Sequence, residues 1–163
     1  MAEAKTDKLF KSISEISKNL NKESDSINTV LEAFEKRLNS LNLGLEVWLE
    51  DDPLEHTERE GDHRHITYHR AVLGYSRAFD MTGWGLTVKW VKREEWVERC
   101  DITEMKSPRS QDFKDDIGPR CLLKASRDLR VSALDKLLKL LEVLEMKARE
   151  TVASIEKAKE SLK

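Results

Sequence analysis

The residues of this chain best suited to chemistry are its four histidines, His56, His63, His65 and His69, which fall within fourteen positions of one another. If residues 62–70 are extended, His63, His65 and His69 share one face, because strand side chains alternate. Imidazoles two apart on a strand can chelate zinc, iron or copper, and neighbouring carboxylates can complete such a site. No cysteine or carboxylate spacing reinforces this ligand set. The plainer reading is an edge strand beside a charged loop on which histidine is simply polar, and no cofactor is expected.

A second candidate is Asp101-Ile102-Thr103-Glu104-Met105-Lys106, an acid followed by Glu-x-Lys. It loosely resembles the two carboxylates and lysine that restriction-like nucleases place around Mg²⁺. The spacing is too short for that role, and a charged strand end accounts for it. A third candidate is the set of tryptophans, Trp48, Trp84, Trp90 and Trp96, with Lys89, Lys92, Arg93 and Arg99 among the last three. Aromatic faces flanked by cations can stack bases and hold phosphates, but Glu94, Glu95 and Glu98 would repel a phosphate backbone. At most weak nucleic-acid binding follows. Trp84 and Trp90 are expected in the core, with Trp96 packed at an edge. Trp48, Trp96, Lys92 and Arg93 are the expected contacts for a protein partner. Cys100 and Cys121 carry no sign of a nucleophile and read as small buried residues. With six glycines, no Walker pattern and no G-x-S-x-G elbow, no nucleotide cradle or serine nucleophile is indicated. The chain reads as a non-enzyme.

The elements that position these residues emerge from periodicity. Ile13, Leu20, Ile27, Phe34 and Leu41 recur every seven residues, with Leu9, Ile16 and Val30 between them, which predicts a helix over residues 1–42. A break at 22–26 is left open, since Ser24 or Ser26 could cap a second helix. Leu134, Leu141, Ala148, Ile155 and Leu162, with Leu137, Leu144 and Ala158, predict one long helix over 126–163, capped by Ser126. Between the two, the period becomes two. Residues 43–49 read as a strand with Trp48 opposite its apolar face, and 72–79 and 84–91 as a hairpin entered from Ile66 to Ala71. Shorter strands are expected in 95–102 and 120–124, and loops at 50–62 and 105–119.

The expected fold is a single α+β domain, residues 1–163. Two long flanking helices pack with a central, mostly antiparallel sheet of three to five strands, residues 43–125. The hairpin residues Leu73-Gly74-Tyr75 and Trp84-Gly85-Leu86, followed by Leu122-Leu123-Lys124-Ala125-Ser126-Arg127 and the leucine-rich helix, resemble a pattern in small uncharacterised bacterial proteins of phage or defence neighbourhoods. The resemblance covers about residues 72–160 and implies a bacterial accessory protein, with no active residues attached.

The net charge of −2 hides an acidic stretch at 43–62, which holds eight acidic and one basic side chain, and contains no strongly basic region. No segment offers the roughly 20 apolar residues of a membrane span. Two cysteines and an N-terminal segment without a secretory apolar region point to the cytoplasm. The leading expectation is therefore an interaction module: an adaptor, inhibitor or subunit of a larger bacterial complex such as a defence system. The alternatives are a nucleic-acid-associated regulator using the cationic hairpin, or a metal-dependent enzyme at the histidines. Helices this long must overhang the sheet. Glu23 and Arg37 interrupt the first stripe and argue against a perfect homodimeric zipper, which favours the two end helices pairing with each other while a different protein docks on the sheet or helix ends. Oligomeric state is left open.

Overall fold

No glycine or proline occurs in residues 1–42, so nothing there breaks a helical hydrogen-bond ladder. The computed structural model describes residues 2–61, 65–96, 109–110 and 114–162, and it shows a single helix α1 over Ala2–Ser40. The polar stretch at 22–26 does not interrupt α1, and Ser24 is buried in mid-helix instead of capping a new one. The helix ends where the amides of Leu41 and Asn42 close onto the carbonyls of Leu38 and Asn39. Asn42 (φ 49°) and Gly44 (φ 60°) then adopt the left-handed conformation that turns a chain off a helix C-terminus.

Among the described residues six strands follow: β1 Val47–Trp48, β2 Glu55–Glu60, β3 His65–Arg77, β4 Trp84–Trp96, β5 Arg109–Ser110 and β6 Lys114–Cys121. They form one sheet whose pairings are all antiparallel. β3 and β4 pair along their whole length, from His65 opposite Trp96 to Arg77 opposite Trp84. β1 and β2 share the outer edge of β3, while β5 and β6 share that of β4. The α+β class is as expected, but the strand boundaries differ in three places. The strand expected over 43–49 shrinks to two residues. The loop expected at 50–62 contains β2, whose six residues are all exposed and so carried no apolar alternation to read. The loop expected at 105–119 contains most of β6, whose Gly118-Pro119 is accommodated on an outer strand with register shifts opposite Trp90. Much of the expected strand at 95–102 lies outside the described residues, as does Cys100.

The last segment is also not one helix. After a 3₁₀ turn at Leu122–Lys124 come α2, Arg127–Leu134, and α3, Leu137–Ser161. Ser126 caps α2, its hydroxyl accepting from the Leu129 amide. At the bend, Lys136 and Lys139 both reach the carboxylate of Asp52, Lys139 at 3.1 Å, which ties the start of α3 to the segment between β1 and β2. These lysines hold the Asp52 carboxyl below the usual carboxylate range.

Residues directly opposite in an antiparallel pair share a face. Ala71, Leu73 and Tyr75 with Trp90, Val88 and Leu86 therefore form one face. Leu31 and Leu38 of α1, Leu129 and Ala133 of α2 and Leu137, Leu140 and Leu144 of α3 complete the core on it. Trp84 and Trp90 pack against this core, as expected. The end helices do not pair along their stripes. α2 lies beside α1 instead, through hydrogen bonds from Arg127 to Asn21 at 3.2 Å and from Arg130 to Asn28, while α3 runs against β1 and β3. The bend at 135–136 also resets the buried face of α3. Leu140 is fully buried, whereas Leu141, expected in the core from the seven-residue register, is 36% exposed. Leu140→Asp should therefore cost about 3 kcal/mol or more in urea unfolding, and Leu141→Asp about 1 kcal/mol or less. Equal losses at the two positions would contradict this assignment of the α3 face.

Candidate partner-binding surface

The long ribbon of β2, β3 and β4 carries most of the residues singled out for chemistry. His65 and His69 lie on the same face, with Thr57 and Lys92 flanking His69 and Glu94 one row away. His65 Nε2 stands 4.0 Å from Glu94 Oε2, and Lys92 Nζ lies 2.6 Å from Glu94 Oε1. The Lys92 hydrogen bond, ahead of the charges of Lys92, His65 and His69, holds the Glu94 carboxyl below its usual range. His56 belongs to the opposite face, where its Nδ1 accepts from Arg70 Nε and its ring stacks on Tyr68. His63 lies outside the described residues. Among those described, no three His, Cys, Asp or Glu side chains are grouped to hold a metal ion.

On that opposite face Arg93 pairs with Glu95 at 2.8 Å, and the Tyr68 hydroxyl also donates to Glu95. Lys92 and Arg93 thus each face a carboxylate two residues along their own strand, as the two-residue period requires. A phosphate approaching either cation would meet that carboxylate as well. Trp96 ends β4 opposite His65, and its side chain lies outside the description.

Trp48 stands on the face away from the core, as the alternation at 43–49 implies, with Val47 and Leu49 buried beneath the helices. Its ring lies on Gly74, where an added Cβ would come within 2.2 Å of the indole. The Lys89 ammonium sits 4.6 Å from the ring centroid and pairs with Glu50 at 2.9 Å, and the indole N–H donates to Glu46. Much of the Trp48 surface is therefore used within the chain. Glycine at 74 is what lets the indole lie flat on the strand, and that pairing has no signature in a single sequence.

A further cluster was not legible in the sequence. Glu35 and Asn39 stand one helical turn apart on α1 and fasten it to the turn end of the hairpin. Glu35 Oε2 accepts from the Leu86 amide at 2.7 Å. Asn39 accepts from the Tyr75 hydroxyl at 2.6 Å and donates to the Trp84 carbonyl at 3.0 Å. With Asp80, Met81 and Thr82 these residues line a cleft of about 600 Å³. Both oxygens of Asp80 already serve the chain, one accepting from the Cys121 amide and the other beside Lys124. The contacts made here are those of a clamp.

The largest unsatisfied feature is apolar. The first half of α1 extends beyond the body, and every residue described over 6–23 is exposed. Leu9, Phe10, Ile13, Ile16 and Leu20 remain 46–67% exposed. Their spacing of four, three and four residues, Phe10 aside, is that of a coiled-coil seam. Soluble monomers seldom leave so large a contiguous apolar stripe uncovered. Among the described residues no helix is long and apolar enough to cross a membrane. Comparison with protein-family models, characterised proteins and solved structures finds no match, and the reading of this surface rests on its own geometry.

Burial, followed by the charge of Glu32, pushes the Glu35 carboxyl above its ordinary value, while the Leu86 hydrogen bond opposes the rise. A carboxyl that binds its proton more tightly in the folded chain costs stability once ionised. The lost stability returns as pH falls through the folded pKa. Glu35→Gln keeps an acceptor for the Leu86 amide and removes the charge. The variant should gain on the parent at pH 7 and lose that gain by pH 4, measured by urea unfolding at both pH values. A variant less stable than the parent at pH 7 would show that the ionised form is the one the clamp requires.

Proposed function

We propose that this chain is a non-catalytic interaction module: an α+β body that holds out the first half of α1 as a docking helix and serves as an adaptor, inhibitor or subunit of a larger assembly. The observation that carries this reading is the apolar stripe of Leu9, Ile13, Ile16 and Leu20, exposed on a helix otherwise anchored to the body. The anchoring is strong where it exists. Leu31 and Leu38 are buried, Glu35 and Asn39 hold the hairpin, and Asn21 and Asn28 bond to α2. The helix therefore leaves the body in a fixed direction, which lowers the ordering cost of binding.

Two further observations support this reading over its rivals. The hairpin cations are paired with Glu94 and Glu95, which disfavours nucleic acid, and among the described residues no three His, Cys, Asp or Glu side chains are grouped to hold a metal ion. The cysteine content supports a reducing, cytoplasmic setting. The likeness of the hairpin and the following helix to proteins of phage and defence neighbourhoods supports a bacterial accessory role.

Alanine at positions 9, 13, 16 and 20 preserves helix propensity while removing most of the stripe. This quadruple variant should melt within about 4 °C of the parent in dilute solution, the shift expected from roughly 1 kcal/mol in a chain this size. A photoreactive residue at Ser12, beside the seam, should give a discrete cross-linked species in cells, and the alanine variant should lose it. A large drop in melting temperature would return the stripe to the core, and no cross-link from Ser12 would remove the support for a docking helix.

A further inference from the structure

Resting on the docking-helix reading, we infer that the occupant of the α1 stripe is a second copy of this chain, bound antiparallel about a two-fold axis passing between Ser14 and Glu15. The argument begins with register. In an antiparallel pair of helices, each seam residue of one spacing class faces one of the other class. About this axis Leu9 faces Leu20 of the second copy and Ile13 faces its Ile16, so every apolar seam position of the arm meets an apolar one. Symmetry repeats each pair, as an isologous contact requires. The next layer outward sets Thr6 against Glu23, so polar residues bound the seam at both ends. A slide of one heptad either way opposes Ile13 to Glu23 or Ile16 to Thr6. The interruption at Glu23 that tells against a continuous parallel zipper thus marks the end of a short antiparallel one.

The flanks allow the same pairing. From Phe10 to Ser26 the positions beside the seam are Phe10, Ser12, Ser17, Asn19, Ser24 and Ser26, none of them charged, and the flanks become charged only at Glu3 and Lys5, which carry opposite signs. The charged residues within 6–23, Asp7, Lys8, Lys11, Glu15, Lys18 and Lys22, fall on the other sides of the helix, apart from Glu23 itself. Two identical arms therefore approach without like charges in contact, and small serines permit close helix packing.

The body selects the orientation. From Ser24 onward one side of the seam turns into the body's own core, where Ile27 and Phe34 pack, while Val30 on the other side stays half exposed. A parallel partner would carry its own residues 27–34 into that occupied space and set Glu23 against Glu23. An antiparallel partner brings only its residues 2–5 opposite 24–27 and leaves its body at the far end of the arm. The exposed area of five large apolar side chains is on the order of 500 Å² per copy. With the flanking residues, two copies approach the roughly 1,200 Å² at which specific interfaces begin. The free half of α3 offers no equivalent. Its seam holds Ala148, Thr151 and Ala158 between the larger residues, and the Leu144 that would face Ile155 of a second copy is buried in the body.

The test mixes two full-length variants, Leu9→Cys and Leu20→Cys, distinguishable by a mass tag, under mild oxidation. Circular dichroism melting confirms that each is folded, and sedimentation of the parent runs alongside. A covalent heterodimer is expected only in the mixture, and the parent mass should rise with concentration toward twice the 18.9 kDa of one chain. Self-cross-linking of Leu9→Cys beyond the parent's background would establish a parallel pair and overturn the inference. A parent that stays monomeric up to about 200 μM, with no cross-link in the mixture, overturns it as well. In that case, a Ser12 photo-cross-link to a different protein in cells leaves the docking-helix reading standing, and its absence removes both.

Discussion

The β3–β4 ladder fixes where everything else in the molecule goes. Its two strands are thirteen residues each and pair without a slip. Because opposite residues share a face, that one register decides together that Leu73, Tyr75, Leu86 and Val88 turn toward the helices and that Gly74 and Thr87 turn away. A slip of one residue would exchange the two sets. Each edge of the pair is then completed by two short strands, so the sheet is four ranks wide although six strands build it. The helices cover only the end of the ladder nearest the hairpin turn. Farther out, residues 65–70 and 92–95 are half-buried and carry the cross-linked charges of Lys92, Arg93, Glu94 and Glu95.

α1 outruns the support that this arrangement gives it. Its C-terminal half is fixed by burial of Leu31 and Leu38 and by the polar clamp of Glu35 and Asn39, and α2 steadies its middle. From Glu23 back to Thr6, every residue is exposed. Isolated helices of this length are marginal in water, so the arm gains most from being covered, and its apolar residues lie in the single stripe that another helix can cover. The stability of the arm and its binding are consequently one property: the contact that hides Ile13 and Ile16 also completes the helix.

Where alternation or heptads had a buried face to reflect, the sequence was readable. The hairpin, the core positions of Trp84 and Trp90, the cap at Ser126 and the unexposed side of residues 47–49 follow from period and chemistry alone. β2 left no trace because none of its side chains is buried, and backbone pairing with β3 is all that defines it. The bend between α2 and α3 escaped notice because the seven-residue pattern runs straight through it, while Lys136 and Asp52 meet across more than eighty positions of sequence. The pairing of the two end helices failed for a related reason. A heptad stripe records that a helix wants a partner and says nothing of whether that partner belongs to the same chain. Only the position of the body shows that after Ser24 the stripe is claimed at Ile27 and Phe34 and left exposed at Val30, and that before Ser24 it is open throughout. The clamp of Glu35, Asn39 and Tyr75 was invisible for want of any local pattern, since it joins residues about forty positions apart.

The central claim is that the arm of α1 is a surface awaiting a partner and not a loosely held part of the core. Amide hydrogen exchange followed by mass spectrometry at several protein concentrations tests it most directly, because it reports on the arm and the body in the same experiment. With a second copy as the occupant, peptides from residues 6–23 should become more protected as concentration rises, while peptides from β3, β4 and the C-terminal half of α1 stay unchanged. Rapid exchange in the arm unaffected by concentration would overturn the second copy as its occupant, and protection in the arm equal to that of the core at every concentration would contradict the central claim.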